Sequence, residues 1–129
     1  MADEMKDRIA HLRALHQTIE GMHEHVQMLE KQRSELEYVD ESLDALGSVK
    51  AGTQVLVQIS SGIFAPAKIT DVNRLLVNVG ADVMVEKDIA QTRTIIQDQA
   101  VQLAQVHGQL TAKLAELADQ FEKLRAQVK

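Results

Sequence analysis

Apolar residues recur at alternating intervals of three and four in two stretches of similar length, residues 3–46 and 88–128. This spacing places them along one side of an α-helix and is typical of a coiled-coil seam. Between the stretches, residues 52–86 contain short β-branched runs separated by Gly, Asp, Asn and Ser, which predicts strands and turns. Because two helices of similar length joined by a reversing connector fold back on one another, we predict an α+β fold. It consists of a long antiparallel two-helix coiled coil with two central β-hairpins.

The seam of each predicted helix is largely apolar. In the first helix it contains Met5, Arg8, Leu12, Leu15, Ile19, Met22, Val26, Leu29, Arg33, Leu36, Asp40 and Leu43. In the second helix it contains Ile89, Arg93, Ile96, Ala100, Leu103, His107, Leu110, Leu114, Leu117, Phe121, Leu124 and Val128. Asp40 and Arg93 interrupt the two seams near the β block. They either pair and fix the register of the helices, or extend separately into solvent at a splayed base.

The helix ends carry recognisable capping residues. Asp3 is a candidate N-cap of the first helix, and Gly47 follows its last periodic residue, as a C-terminal glycine does. Asp88, followed three residues later by Gln91, has the spacing of a capping box at the start of the second helix. These signals place the helix boundaries close to the limits of the heptad pattern.

The middle block is predicted to form two hairpins, with turns at Ser60-Ser61-Gly62 and at Gly80-Ala81-Asp82. Two small hairpins bury little apolar surface by themselves, and their unpaired edges favour association with other strands. We therefore predict that this block is an oligomerisation module. The residues expected to contribute are Val55, Val57, Ile59, Ile63, Phe64, Leu76, Val77, Val79, Val83 and Val85.

Composition argues against several classes of function. The net charge of −5 argues against a nucleic-acid or anionic-membrane partner, and no stretch is apolar enough to span a bilayer. The N-terminus lacks the apolar segment of a secretory signal, so a cytoplasmic location is expected. Cysteine is absent, and there is no Gly-rich phosphate loop. Metal binding is not expected, because the histidines lack the spacing that places two imidazoles on one helix face: His11, His16, His23, His25 and His107. We expect neither a cofactor nor an enzyme.

Two runs in the β block carry a family resemblance: QVLVQISSGIFAPAKI at residues 54–69 and LVNVGADVMVEK at residues 76–87. They resemble the prefoldin alpha subunit family, and the order helix, two hairpins, helix matches that family's plan. The resemblance implies a single domain over residues 1–129, in which 3–46 and 88–128 form the coiled coil. The segment 52–86 would form the assembly module. Beta-type subunits have one hairpin, so the two hairpins here point to the alpha class and look closest to archaeal forms.

The resemblance implies an ATP-independent chaperone. Two alpha subunits would join four beta subunits in a hexamer, and their hairpins would form β-barrels. The coiled-coil tips would hold unfolded proteins and transfer them to a group II chaperonin. The tip residues, named together here, are Met1, Met5, Ile9, Phe121, Leu124 and Val128. These residues either bind clients or merely close the seam. The alternative function is a structural adaptor that assembles through the β block and binds one specific folded partner.

Overall fold

The computed structural model describes residues 2–128. The first helix, α1, spans Ala2–Leu46, and the last, α2, spans Ile89–Ala126. The four strands between them are β1 (Gln54–Ser60), β2 (Ile63–Lys68), β3 (Leu75–Asn78) and β4 (Met84–Lys87). The predicted order of helix, two hairpins and helix is confirmed. The residues group into two compact units, one containing 2–35 with 101–128 and the other containing 36–100.

The seam residues named above are all buried or half-buried, whereas nearly all other residues of α1 are exposed. The most buried apolar side chains are Leu15, Val26, Leu29, Leu43 and Leu117. Each leucine or valine buried in this way contributes about 1.5–3 kcal/mol. The burial follows the heptad period, so the two helices pack as the antiparallel coiled coil that the sequence predicts.

The start of α2 is fixed by a reciprocal pair of hydrogen bonds. The Gln91 backbone N–H donates to Asp88 Oδ1 at 2.7 Å, and the Asp88 backbone N–H donates to Gln91 Oε1 at 3.1 Å. Two N–H groups that the helix itself leaves without partners are satisfied in this way, which confirms the predicted capping box. The end of α1 follows the prediction at Gly47, whose N–H donates to the Leu43 carbonyl at 3.2 Å. Asp3 lies within α1 rather than before it, because the helix already includes Ala2.

Each hairpin is an antiparallel pair, β1 with β2 and β3 with β4. In the first hairpin Val57 lies opposite Ala65, and an irregularity between Gln58 and Ser60 leaves Ile59 without an opposite residue. The turn of the second hairpin is closed by a hydrogen bond from the Val83 N–H to the Gly80 carbonyl at 3.0 Å. Its central residues, Ala81 and Asp82, have φ values of 50° and 59°. Positive φ at both central positions defines a type I′ turn, whose twist matches that of paired strands.

Candidate functional site

The first hairpin exposes apolar side chains on both of its faces. Successive residues of a strand point to opposite faces, so Val55 and Val57 share one face and Leu56 lies on the other. Val55 is half-buried with its cross-strand partner Ala67, but Leu56 leaves 69% of its surface exposed. Phe64, which lies on the same face as Leu56, is also more exposed than buried. A two-stranded sheet with apolar groups on both faces is suited to packing against other chains.

The second hairpin also exposes apolar side chains. Val77 is half-buried, whereas Leu76 and Met84 on the opposite face, and Val79 and Val83 beside the turn, are more exposed than buried. The predicted oligomerisation residues therefore lie on these two hairpins, and most of them are exposed. Leu56 and Met84 are also exposed on these hairpins, although the sequence-based prediction did not include them.

Arg93 of α2 connects the two helices close to the hairpins. Its Nε donates to Asp40 Oδ1 at 3.0 Å, and its Nη1 donates to Asp44 Oδ1 at 3.1 Å. The hydrogen bond to Asp40 is the main reason that the pKa of Arg93 lies above its ordinary value, and the charges of Asp40 and Asp44 raise it further. Of the two interpretations left open by the sequence, pairing of Asp40 with Arg93 is therefore the one confirmed.

A second ion pair connects the residue before β3 to β4 in the second hairpin. Arg74, which immediately precedes β3, donates from Nη2 to Oε1 of Glu86 on β4. This hydrogen bond, followed by the charge of Glu86, raises the pKa of Arg74 above its ordinary value. The exposed pair adds a cross-strand contact to a short sheet.

The tip residues belong to the unit formed by 2–35 and 101–128. Met5, Phe121, Leu124 and Val128 are half-buried, and Ile9 is somewhat more exposed. Met1 lies outside the described residues. The predicted client-binding role of these side chains stays a prediction. Their partial exposure leaves apolar surface available without forming an enclosed pocket.

An open depression of about 310 Å³ lies beside Phe121. It is lined by Leu12, Arg13, His16, Gln17 and Phe121. The imidazole of His16 stands against the Phe121 ring, with centroids 5.9 Å apart and planes tilted by 38°. Of these residues, only Phe121 was predicted from the sequence as a functional residue. The others were missed, because no sequence pattern distinguishes Arg13 and Gln17 from ordinary solvated helix positions.

His107 occupies a seam position of α2 and reaches across to α1. Its Nε2 lies 3.1 Å from Glu30 Oε1, and its side chain is mostly buried. Within residues 2–128 no three His, Asp or Glu side chains come together as a metal site would require. Over the same residues, neither helix has an apolar stretch long enough to cross a membrane. The contact between His107 and Glu30 thus connects the two helices within this unit.

Comparison with known proteins places the chain beside chaperone subunits. The family model described as prefoldin subunit matches residues 3–129. Prefoldin subunit alpha of Methanoculleus marisnigri is 32% identical over 108 residues, covering 84% of this chain and 72% of the relative. Prefoldin subunit alpha of Archaeoglobus fulgidus is 20% identical over 125 residues, covering 97% of this chain and 91% of the relative.

A solved structure has the same fold. It is a cryo-EM structure described as filamentous PFD from Methanocaldococcus jannaschii, and it superposes on this chain with a TM-score of 0.79 at 25% sequence identity. The superposition covers 89% of this chain and 95% of the other. The similarity therefore extends over most of this chain.

Proposed function

Because this chain belongs to the prefoldin family, whose members are chaperone subunits rather than enzymes, we propose that it is an alpha-type subunit of an ATP-independent chaperone. The complex holds unfolded proteins and transfers them to a group II chaperonin in the cytoplasm. The chain contributes binding surface and assembly contacts, and needs no cofactor for either.

Assembly through the hairpins is supported by the apolar side chains that the single chain leaves exposed there. Ile59 and Leu56, for example, are 66% and 69% exposed. Burying apolar side chains against neighbouring strands is favourable at about 25 cal/mol per Å², and pairing the free strand edges removes a hazard of aggregation. We propose that two copies of this chain and four beta-type subunits close their hairpins into β-barrels.

The observation that carries the holding function is the partial exposure of the tip residues, which lie near the start of α1 and the end of α2. Unfolded clients present many different apolar side chains, so a useful surface must be apolar without a fixed shape. Met5 suits this role because its unbranched thioether side chain adapts to different partners. Each contact is weak, so several subunits act together to retain one client, as multivalent binding allows.

The test is removal of both tips. A chain lacking residues 1–9 and 120–129 is assembled with beta-type subunits and compared with the intact complex for suppression of aggregation of a denatured protein. We expect the shortened chain to assemble normally and the complex to lose much of its holding activity. A chain carrying Ser in place of Leu124 and Phe121 provides a second variant with unchanged length.

The structural adaptor gives a different result in the same experiment. An intact adaptor complex shows little general holding activity before any residue is removed, and the shortened chain loses one defined folded partner. That outcome would overturn the chaperone proposal while leaving the assembly through the hairpins intact.

A further inference from the structure

The depression beside Phe121 has an apolar floor. Leu12 and Phe121 are seam residues that remain half-buried, and the Phe121 ring lies against the His16 imidazole. Its volume of about 310 Å³ is at the lower end of the range of about 300–1,000 Å³ typical of ligand sites. Because it is open on one side, it suits a single side chain of an extended chain rather than a folded segment.

The rim of the depression presents hydrogen-bond donors and no carboxylate. Arg13 and Gln17 are exposed and lie one helical turn apart on α1. A guanidinium offers five N–H donors, and Gln17 adds the two of its amide. The third polar lining residue, His16, has its Nε2 2.9 Å from Glu20 Oε1 along the helix. The depression is therefore complementary to a hydrogen-bond acceptor, above all to an anionic one.

The charge of Arg13 is not neutralised by a neighbour. None of the ion pairs formed among residues 2–128 includes Arg13. Two cations that are close to Phe121 in the sequence are engaged, since Lys123 pairs with Asp119 and Arg125 with Glu122. Arg13 thus places a guanidinium that belongs to none of these ion pairs beside an apolar floor.

We propose that this depression binds one apolar side chain of an unfolded client together with an adjacent carboxylate. The chain then selects client segments in which an aromatic or aliphatic residue stands next to Asp or Glu. This inference rests on the proposed holding function and specifies the chemistry of the clients held. The apolar side chain contacts Leu12 and Phe121, while the carboxylate accepts hydrogen bonds from Arg13, an arrangement that favours anionic over neutral groups.

The test uses the assembled complex and three fluorescein-labelled unstructured peptides. The peptides are identical except that their single Phe is flanked by Glu, by Gln or by Lys. Binding is measured by fluorescence anisotropy. We expect affinity to fall in the order Glu, Gln, Lys, with a difference between Glu and Gln of about threefold, as for an exposed ion pair. That difference shrinks as salt is added, because exposed charges are screened.

Substitutions test which residue produces the preference for the Glu peptide. Arg13→Gln is expected to remove the difference between the Glu and Gln peptides, chiefly by weakening binding of the Glu peptide. The matched control is Lys31→Gln, which makes the same charge change at an exposed position of α1 outside the depression. Phe121→Ala is expected to weaken binding of all three peptides, since it removes the apolar floor.

Two results would overturn the inference. The first would be that the three peptides bind equally well to the intact complex. The second would be that Arg13→Gln and Lys31→Gln have the same effect on binding of the Glu peptide. Failure of the holding function itself looks different, because the intact complex would then bind none of the peptides and leave aggregation of a denatured protein unchanged.

Discussion

At the scale of single residues, the turn of the second hairpin is strained by its sequence. Ala81 has a φ of 50°, in the left-handed region that side chains with a Cβ disfavour. Type I′ turns favour Asn-Gly and Asp-Gly, whereas this turn has Ala-Asp at its centre. Gly, Ser and Asp residues indicate the two hairpin turns predicted from sequence, but Ala81 gives no signal of the turn type. The location of this turn was predictable, and its geometry was not.

Replacing Ala81 by Asn is expected to stabilise the chain by about 1 kcal/mol, because Asn tolerates the left-handed conformation better than Ala. The measurement is the free energy of unfolding in denaturant. The matched control is Ala51→Asn, at an exposed turn residue that has no positive φ. An equal gain for both substitutions would contradict the assignment of strain to Ala81.

At the scale of the helices, the seam was predictable almost residue by residue. Heptad spacing identified the buried apolar positions, since only one stripe of each helix faces its partner, but it missed Thr92, which is off the seam and 7% exposed. Asp40 and Arg93 were recognised as candidates for a pair because they interrupt the seams near the same end. The second contact of Arg93, with Asp44, was not predictable, because Asp44 lies off the seam and the reach of a guanidinium depends on the actual separation of the helices.

Leu29 and its neighbour Met28 provide a direct test of seam burial. Leu29 is 5% exposed and Met28 is 58% exposed. Leu29→Ala is expected to lower the free energy of unfolding by about 2–5 kcal/mol through lost burial and a residual cavity. Met28→Ala is expected to change it by about 0.5 kcal/mol or less, as for most surface substitutions. Similar losses for the two variants would show that the coiled-coil register differs from the one described.

The pairing of Asp40 with Arg93 is expected to couple the two helices more strongly than an exposed pair does. In the side chains of Arg93 and Asp40, 33% and 31% of the surface is exposed, against 74% and 65% in Lys123 and Asp119. Double-mutant cycles with Asp40→Asn and Arg93→Gln, and with the corresponding neutral variants of the exposed pair, measure both couplings. The half-buried pair should give the larger coupling and the weaker dependence on salt. Equal couplings would mean that Arg93 is merely solvated near Asp40.

At the scale of the whole molecule, the hairpins of the single chain leave apolar surface exposed that other chains can cover. A lone two-stranded hairpin is marginally stable in water, and both hairpins here expose apolar residues. The sequence predicts that this segment assembles with other chains, because its strands are rich in Val and Leu. The side-chain depression beside Phe121 could not be predicted, since it depends on which exposed residues of α1 come to lie next to α2.

Val57→Glu is expected to prevent assembly with beta-type subunits, because it places a charge on the more buried face of the first hairpin. The helical signal in circular dichroism should persist, since Val57 lies outside both helices. Gln54→Glu, an exposed polar position on the same strand, is the control and should assemble normally. Light scattering after size-exclusion chromatography distinguishes the two variants. Normal assembly of Val57→Glu would exclude this face from the interface.

We propose above that the chain is an alpha-type subunit in a complex with beta-type subunits. The most direct test of this proposal is native mass spectrometry of the complex recovered from the source cells with this chain tagged. We expect two copies of this chain with four copies of a smaller chain that also forms a coiled coil. A complex of this chain alone, or of this chain with one dedicated folded partner, would contradict it.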